Sequence, residues 1–213
     1  MEITPESANI TSTKTDAVQS ENHKNPEKPE GFLSEIIRFS LIALLIVLPI
    51  RIFVAQPFIV SGASMETTFS TGQYLIVDQL TYHLEEPKRG EVIIFRYPKD
   101  PSKFFIKRII GIPGDTISIS GRDVSVSNAA HPEGVLLEEN YILDMKPSAA
   151  LTETLGEDEY FVMGDNRDAS SDSRAWGVLQ RDKIVGRAFL RLFPLSKVDV
   201  FPGRHDIKTD MNL

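Results

Sequence analysis

The chain has 213 residues, 41% of them hydrophobic and 25% charged, which is an ordinary composition for a globular protein built around one domain. Its net charge of −7 at pH 7 comes without a basic stripe and argues against a nucleic-acid-binding protein. Because the chain has no cysteine, disulfides, thiolate catalysis and cysteine-ligated metal sites are excluded. The chemistry left to the chain is that of serine, lysine, histidine and the carboxylates.

The N-terminal part changes from a polar to an apolar composition. Residues 1–31 are rich in Ser, Thr, Asn, Glu, Lys and Pro and nearly free of large apolar side chains, which predicts a disordered tail. Residues 32–55 then contain the uninterrupted apolar run Leu41–Ile50. With its flanks this segment reaches the length of about 20 residues that a transmembrane helix needs, and Arg38 and Arg51 near its ends can extend toward the interfaces. We predict one transmembrane anchor over residues 32–55.

Two other interpretations of this segment compete with an anchor. A buried core helix would also be apolar. A cleavable signal peptide fits less well, because more than thirty residues precede the apolar run and Phe53 stands where a cleavage site needs a small side chain.

The remaining chain, residues 56–213, is predicted to be one mainly β domain with an antiparallel sheet. It contains short β-branched segments bounded by Gly, Pro or Asp, as is typical of strands. These segments are residues 74–77, 91–97, 104–110, 116–120, 124–127, 160–163 and 184–193. No long amphipathic helical period interrupts them, and residues 128–158 are predicted to be a polar, loop-rich insertion.

The first candidate functional residue is Ser64, in a turn of small residues. It lies nine positions after Ala55, so an extended tether of about 30 Å would hold it near a membrane surface. Gly62 and Ala63 let another backbone approach closely, which suits a nucleophile. The alternative is that Ser-Gly-Ala-Ser is ordinary loop sequence.

Lys107 is the second candidate, because strand alternation places it on the same face as Phe105 and Ile109. Burial on an apolar face disfavours the charged amine and can lower a lysine pKa from about 10.4 toward about 5–6. A neutral lysine can act as general base for a serine hydroxyl. The alternative is an edge-strand lysine that reaches water and opposes aggregation.

The segment Gly164–Arg174 is denser in charged groups than a passive loop requires. It does not fit a calcium loop, because Arg167 stands where a third oxygen ligand should be and no closing glutamate follows. We expect a network of ion pairs and hydrogen bonds, either around a site or on the surface. The histidines at positions 23, 83, 131 and 205 show no ligand spacing, and no metal or organic cofactor is expected.

Four segments resemble, in the same order, the sequence blocks of bacterial type I signal peptidases, the membrane-anchored Ser/Lys endopeptidases. They are residues 61–69, 88–95, 105–115 and 164–177. The resemblance implies that Ser64 is the nucleophile, that Lys107 is the base and that Ser170 orients the lysine. It also implies a structural ion pair between Asp172 and Arg174. The backbone N–H of Ser64 would donate to the oxyanion, with Gly62 and Ser61 in the same region.

The resemblance further implies a function: removal of N-terminal signal peptides from exported pre-proteins after small residues of the Ala-x-Ala type. The substrate would bind as an added β-strand. The residues expected to line its pockets are Phe58, Val60, Met65, Phe105 and Ile106. The tail 1–31 would be cytoplasmic, the enzyme would cross the cell membrane once, and its catalytic domain would be extracytoplasmic. Its expected partners are signal peptides and the lipid bilayer, while the oligomeric state stays open.

Two other functions remain possible from the sequence. Self-cleaving SOS repressor peptidases also use a Ser/Lys dyad on a β fold, but they begin with a DNA-binding domain. A membrane-anchored β module could instead bind extended peptides without cleaving them.

Overall fold

The computed structural model describes residues 31–49, 55–142 and 145–205. The chain divides into two compact units between Ile42 and Ala43, and the strands belong to the second unit. Helix α1 (Phe32–Pro49) contains the apolar run up to Pro49, and its described side chains are exposed. Within the described residues, none of the helices combines the length and the apolar character needed to span a bilayer. The predicted tail, apart from residue 31, and residues 50–54 of the predicted anchor lie outside the described residues.

The described residues of the second unit are mainly antiparallel β, as predicted. The strands are β1 (Ala55–Ile59), β2 (Tyr74–Asp78), β3 (Val92–Tyr97), β4 (Asp100–Gly111), β5 (Thr116–Gly121), β6 (Asp123–Ser127), β7 (Val135–Leu136), β8 (Ser148–Thr154), β9 (Glu159–Met163), β10 (Leu179–Gln180), β11 (Ile184–Phe193) and β12 (Asp199–Val200). An eight-stranded sheet has the order β1-β2-β11-β3-β4-β9-β10, with β12 added on β11. A four-stranded sheet has the order β7-β6-β5-β8.

The smaller sheet includes part of the segment predicted as a loop-rich insertion. Strands β5 and β6 form a hairpin, and residues 128–158 also contribute β7 and β8, which pair with β6 and β5. The sequence did not indicate these two strands because one has only two residues and the other exposes most of its side chains. Since β8 is an edge strand, it needs less apolar alternation than a central one.

The central strands have apolar side chains buried on both faces of the large sheet. On β3, Val92 and Ile94 join one core cluster, while Ile93 and Phe95 join another. The first cluster also contains Met65 and Phe69, which follow Ser64. Burial of a large apolar side chain contributes about 1.5–3 kcal/mol relative to exposure, so these two residues fix the chain after Ser64 against the sheet.

Strand β4 changes its pairing at Lys107. Along residues 100–108 it pairs with β3, whereas its register with β9 begins only at Arg108 and continues to Gly111. Among the described strands, residues 100–107 therefore have one hydrogen-bonded neighbour, and the other edge of β4 is open up to the lysine.

Candidate active site

The turn that carries Ser64 is held at both ends. Val60 N–H donates to Gln73 O at 2.9 Å, and Gly72 N–H donates to Val60 O at 2.9 Å. Gly62 has a φ of 99°, a left-handed conformation that side chains disfavour, and its N–H donates to Thr71 Oγ1 at 3.1 Å. The turn is thus fixed locally, and it leaves Ser64 partly exposed.

Ser64 and Lys107 meet although 43 positions separate them in the sequence. Lys107 Nζ lies 2.7 Å from Ser64 Oγ and also donates to Ile106 O at 2.9 Å. The lysine is 3% exposed. Burial lowers its pKa to about 8, against the charges of Asp172 and Asp165, which raise it. A substantial fraction of the amine is therefore neutral near pH 8, and it lies within hydrogen-bonding distance of a hydroxyl that it can deprotonate.

Asp172 and Arg174 form the ion pair that the sequence resemblance implies. Asp172 Oδ1 accepts from Arg174 Nε at 2.8 Å, and Asp172 Oδ2 accepts from Gly164 N–H at 3.1 Å. Burial by itself would raise the pKa of Asp172, but the hydrogen bond and charge of Arg174 and the bond from Gly164 hold it below its usual range. Asp172 also caps the short helix α2 (Ser173–Trp176) by accepting from Arg174 N–H. The pair therefore fixes the loop that approaches Ser64.

Gly164 allows this loop to pass directly beside the nucleophile. A Cβ atom placed on it would overlap both Ser170 Oγ and the carbonyl oxygen of Ser64. The same carbonyl accepts from Asn166 N–H at 3.0 Å. Ser170 Oγ is buried beside the Asp172 carboxylate, whose pKa it helps to lower, but it has no hydrogen bond of good geometry within the described residues. The structure thus places Ser170 next to the Ser64 backbone without a hydrogen bond to Lys107.

A second buried ion pair lies on the opposite face of β4 from Lys107. Arg108 is fully buried and donates to Asp165 from two of its three guanidinium nitrogens, at 2.8 Å from Nε to Oδ1 and 2.6 Å from Nη2 to Oδ2. Thr68 Oγ1 also donates to Asp165. Asp165 thereby connects the chain that follows Ser64 with the residue that follows Lys107.

A cleft of about 490 Å³ leads to the pair. Four of the five residues predicted to line substrate pockets lie in its wall, namely Phe58, Val60, Phe105 and Ile106. The prediction for Met65 is wrong: its side chain is 1% exposed and packs in the core with Phe69. Other lining residues, which were not predicted for the pockets, are Ile59, Ala63, Leu75, Ile94, Lys103, Phe104, Ala169 and Ser171.

The backbone N–H groups near Ser64 differ in whether they already donate a hydrogen bond. Ser61 and Gly62 both line the cleft, as expected for the oxyanion region, but the Gly62 N–H is already bonded to Thr71. The Ser64 N–H makes no hydrogen bond to any described group. Unlike the Gly62 N–H, the Ser64 N–H is not engaged by another described group and could therefore donate to an oxyanion.

The comparison with known families agrees with this geometry. Residues 33–193 match the family described as signal peptidase, peptidase S26. The chain belongs to this signal peptidase family. It is thus a serine endopeptidase.

Individual relatives support the same assignment. The chain is 36% identical to "Probable signal peptidase I-2" of Synechocystis sp. over 85% of its own length and 83% of that protein. It is 35% identical to "Signal peptidase I" of Leptolyngbya laminosa over 80% of this chain and 85% of that one. A crystal structure of a signal peptidase I from Enterococcus faecalis is 28% identical, with a TM-score of 0.41, and covers 48% of this chain and 97% of that chain.

Sequence reasoning did not predict the contacts on the face of β4 opposite Lys107, which hold the two catalytic residues in place. Arg108, Asp165 and Thr68 make these contacts, and the separations of 57 and 97 positions between them do not appear in a local pattern. One indication was available: strand alternation turns Arg108 away from Lys107, so this arginine needed a buried partner on the other face.

Proposed function

We propose that the chain cleaves signal peptides from exported pre-proteins with Ser64 as nucleophile and Lys107 as general base. The observation that carries the proposal is the 2.7 Å contact between Ser64 Oγ and the almost fully buried Lys107 Nζ. Burial lowers the lysine pKa, so that the amine can be neutral near neutral pH. The contact places this neutral amine within reach of the serine proton.

The chemistry needs both protonation states of Lys107 in turn. The neutral amine accepts the Ser64 proton as Oγ attacks the scissile carbonyl, and the resulting ammonium then protonates the leaving amine as the C–N bond breaks. A water, deprotonated by the same lysine, attacks the acyl-enzyme and releases Ser64. The Ser64 N–H donates to the oxyanion, and one such donor contributes about 3–4 kcal/mol in comparable sites.

The open edge of β4 supports the binding of substrate as an extended strand. Phe105, Ile106 and Lys107 lie on the part of β4 that lacks a second neighbour, and the opposite wall is formed by residues 58–63. In an extended peptide alternate side chains point the same way, so the residue before the scissile bond and the residue two positions earlier face one wall. The cleft is lined mainly by apolar side chains, which favours uncharged residues at both positions, and the Ala-x-Ala pattern satisfies this.

A membrane location is the second part of the proposal. Helix α1 exposes large apolar side chains along its length, among them Leu33, Phe39 and Leu45 at 70%, 74% and 76%. Among the strands, the paired residues Ile59, Tyr74 and Phe193 form an exposed apolar row, and Ile59 also lines the cleft. Apolar surface of this kind is typical of membrane contact. We expect residues 32–55 to anchor the enzyme and the catalytic unit to act on the extracytoplasmic side.

The test uses the full chain in detergent with a pre-protein substrate. Wild type is compared with Ser64→Ala and Lys107→Ala, and Ser125→Ala and Lys88→Ala serve as controls because both lie outside the residues that line the cleft. We expect processing by wild type and both controls and none by the two site variants. Equal processing by Ser64→Ala would contradict the proposed mechanism, and binding without cleavage by wild type would identify a peptide-binding module instead. Carbonate extraction and protease protection of intact cells would test the anchor and its orientation.

A further inference from the structure

The last described residues, 199–205, lie beyond the part of the chain that matches the family and yet contact the supports of the site. We call residues 201–205 the C-terminal segment. It follows β12, which pairs with β11, and Phe201 N–H donates to Phe189 O at 2.7 Å. Pro202 is buried, so the segment is packed into the catalytic unit rather than trailing from it.

On strand β4, the C-terminal segment contacts Arg108, the residue that follows Lys107. The Gly203 carbonyl accepts from Arg108 Nη1, which also donates to Gly90 O at 2.8 Å. The Tyr141 ring covers the same guanidinium at 4.0 Å, and the His205 ring packs on Tyr141 at 4.9 Å. The arginine next to Lys107 is thus contacted directly by Gly203 and, through Tyr141, indirectly by His205.

On the Ser64 side, Gly203 packs against the chain that follows the nucleophile. A Cβ on Gly203 would overlap the methyl group of Thr68 and lie 3.1 Å from the Phe69 ring. Thr68 donates to Asp165, the carboxylate that also binds Arg108. Gly203 therefore touches two of the three members of the network that joins the two halves of the catalytic pair.

We propose that Gly203 is a positioning residue for the Ser64–Lys107 pair and that the C-terminal segment keeps the two halves aligned through Asp165. The proposal rests on the proposed function of the pair. A displacement of about 1 Å can cost about 100-fold in rate when reacting groups are held by such contacts. The atoms nearest to a Cβ added on Gly203 belong to Thr68 and Phe69, and neither residue lines the cleft. The expected effect is therefore on kcat rather than on KM.

The first experiment is Gly203→Ala in the full chain, with Gly121→Ala as matched control. Both glycines have left-handed backbones, with φ of 72° and 63°, but a Cβ on Gly121 meets open space. We expect Gly203→Ala to lower kcat by about tenfold or more with KM within about twofold, and Gly121→Ala to keep both. The folded fraction of each variant is measured by its cooperative denaturant-unfolding transition, so that loss of folded protein is not read as loss of kcat.

A second comparison tests the path through Thr68. Thr68→Ser removes the methyl group that the added Cβ of Gly203→Ala would overlap, and it keeps the hydroxyl that donates to Asp165. We expect the double variant Gly203→Ala/Thr68→Ser to regain at least about fivefold in kcat over Gly203→Ala, with Thr68→Ser alone as its reference. Thr68→Val, also in the full chain, keeps a methyl group and removes the hydroxyl that donates to Asp165. It should lower kcat as well, and it tests the path through Asp165 even if Gly203→Ala does not fold.

Each contrary result has a distinct meaning. Unchanged kcat in Gly203→Ala or in Thr68→Val would overturn the inference. An equal loss in Gly121→Ala, or no recovery on removing the Thr68 methyl group, would also overturn it, because backbone strain or general destabilisation would then explain the effect. A wild type that does not cleave would contradict the proposed function and this inference together, whereas an active wild type with unaffected variants contradicts the inference alone.

Discussion

Replacing Lys107 by methionine should stabilise the protein at neutral pH while abolishing its activity. Burial lowers the lysine pKa from 10.5 to about 8, and each pKa unit corresponds to about 1.4 kcal/mol, so the charged amine costs about 3 kcal/mol in the native state. Methionine has a similar length and no charge, but it loses the contacts with Ser64 Oγ and Ile106 O, at about 1 kcal/mol each. A net gain of about 1 kcal/mol at pH 7 remains.

The pH dependence makes this prediction specific to the amine. Between about pH 8 and pH 10.5 the unfolded chain still holds a proton that native Lys107 has released. The free energy of unfolding of wild type should therefore rise with pH relative to Lys107→Met, by about 3 kcal/mol in all. The penalty returns in full as the pH falls through 8. All other titrating groups are common to both proteins and cancel in the difference.

Urea unfolding of wild type, Lys107→Met and the exposed control Lys88→Met at half-unit steps from pH 6.5 to 10.5 would measure this difference. The control should show no comparable rise in its difference from wild type between pH 8 and 10.5. A stability difference between wild type and Lys107→Met that does not change with pH would refute the reasoning, because it would mean that the lysine carries its charge without cost.

Four further outcomes follow from the site. The value of kcat/KM should fall about tenfold per pH unit below about pH 8, as the base becomes protonated, and a rate that is flat down to pH 6 would contradict a lysine base. Gly164→Ala should lower kcat at least about tenfold, since its methyl group would overlap Ser170 Oγ and the Ser64 carbonyl; single-turnover acylation measures this loss. Met65→Ala should lower the free energy of unfolding by about 2–5 kcal/mol, because Met65 is buried in the core, and denaturant unfolding measures this loss. Phe58→Ala should chiefly raise KM, because Phe58 lines the cleft, and peptide kinetics measure this change.

Local patterns predicted the parts of the site that depend on local geometry. Strand alternation correctly placed Phe105 and Lys107 on one face of β4, and the short β-branched segments correctly indicated a mainly antiparallel fold. Met65 was expected in the cleft, but its side chain is 1% exposed and joins the core, a direction that the local sequence does not indicate.

The contacts that the sequence could not predict are long-range and often involve the backbone. The Gly203 carbonyl binds Arg108 across 95 positions, and any residue type carries such a carbonyl. The close approach of Gly164 to Ser64 similarly depends on how two loops meet in space. Ser170 was expected beside the lysine. In the structure its side chain lies close to Gly164 and the Ser64 backbone, and its role in orienting the lysine stays a prediction.

The change in pairing along β4 also decides when a substrate can be cut. Residues 100–107 lack their second neighbour in the sheet, so the scissile segment must supply a strand with its own amide groups free. A segment already committed to a helix or to another sheet has no such groups to offer. In the proposed binding mode, cleavage is therefore restricted to chain that has not yet folded. A pre-protein whose mature part folds early would then be cut only at its unstructured junction.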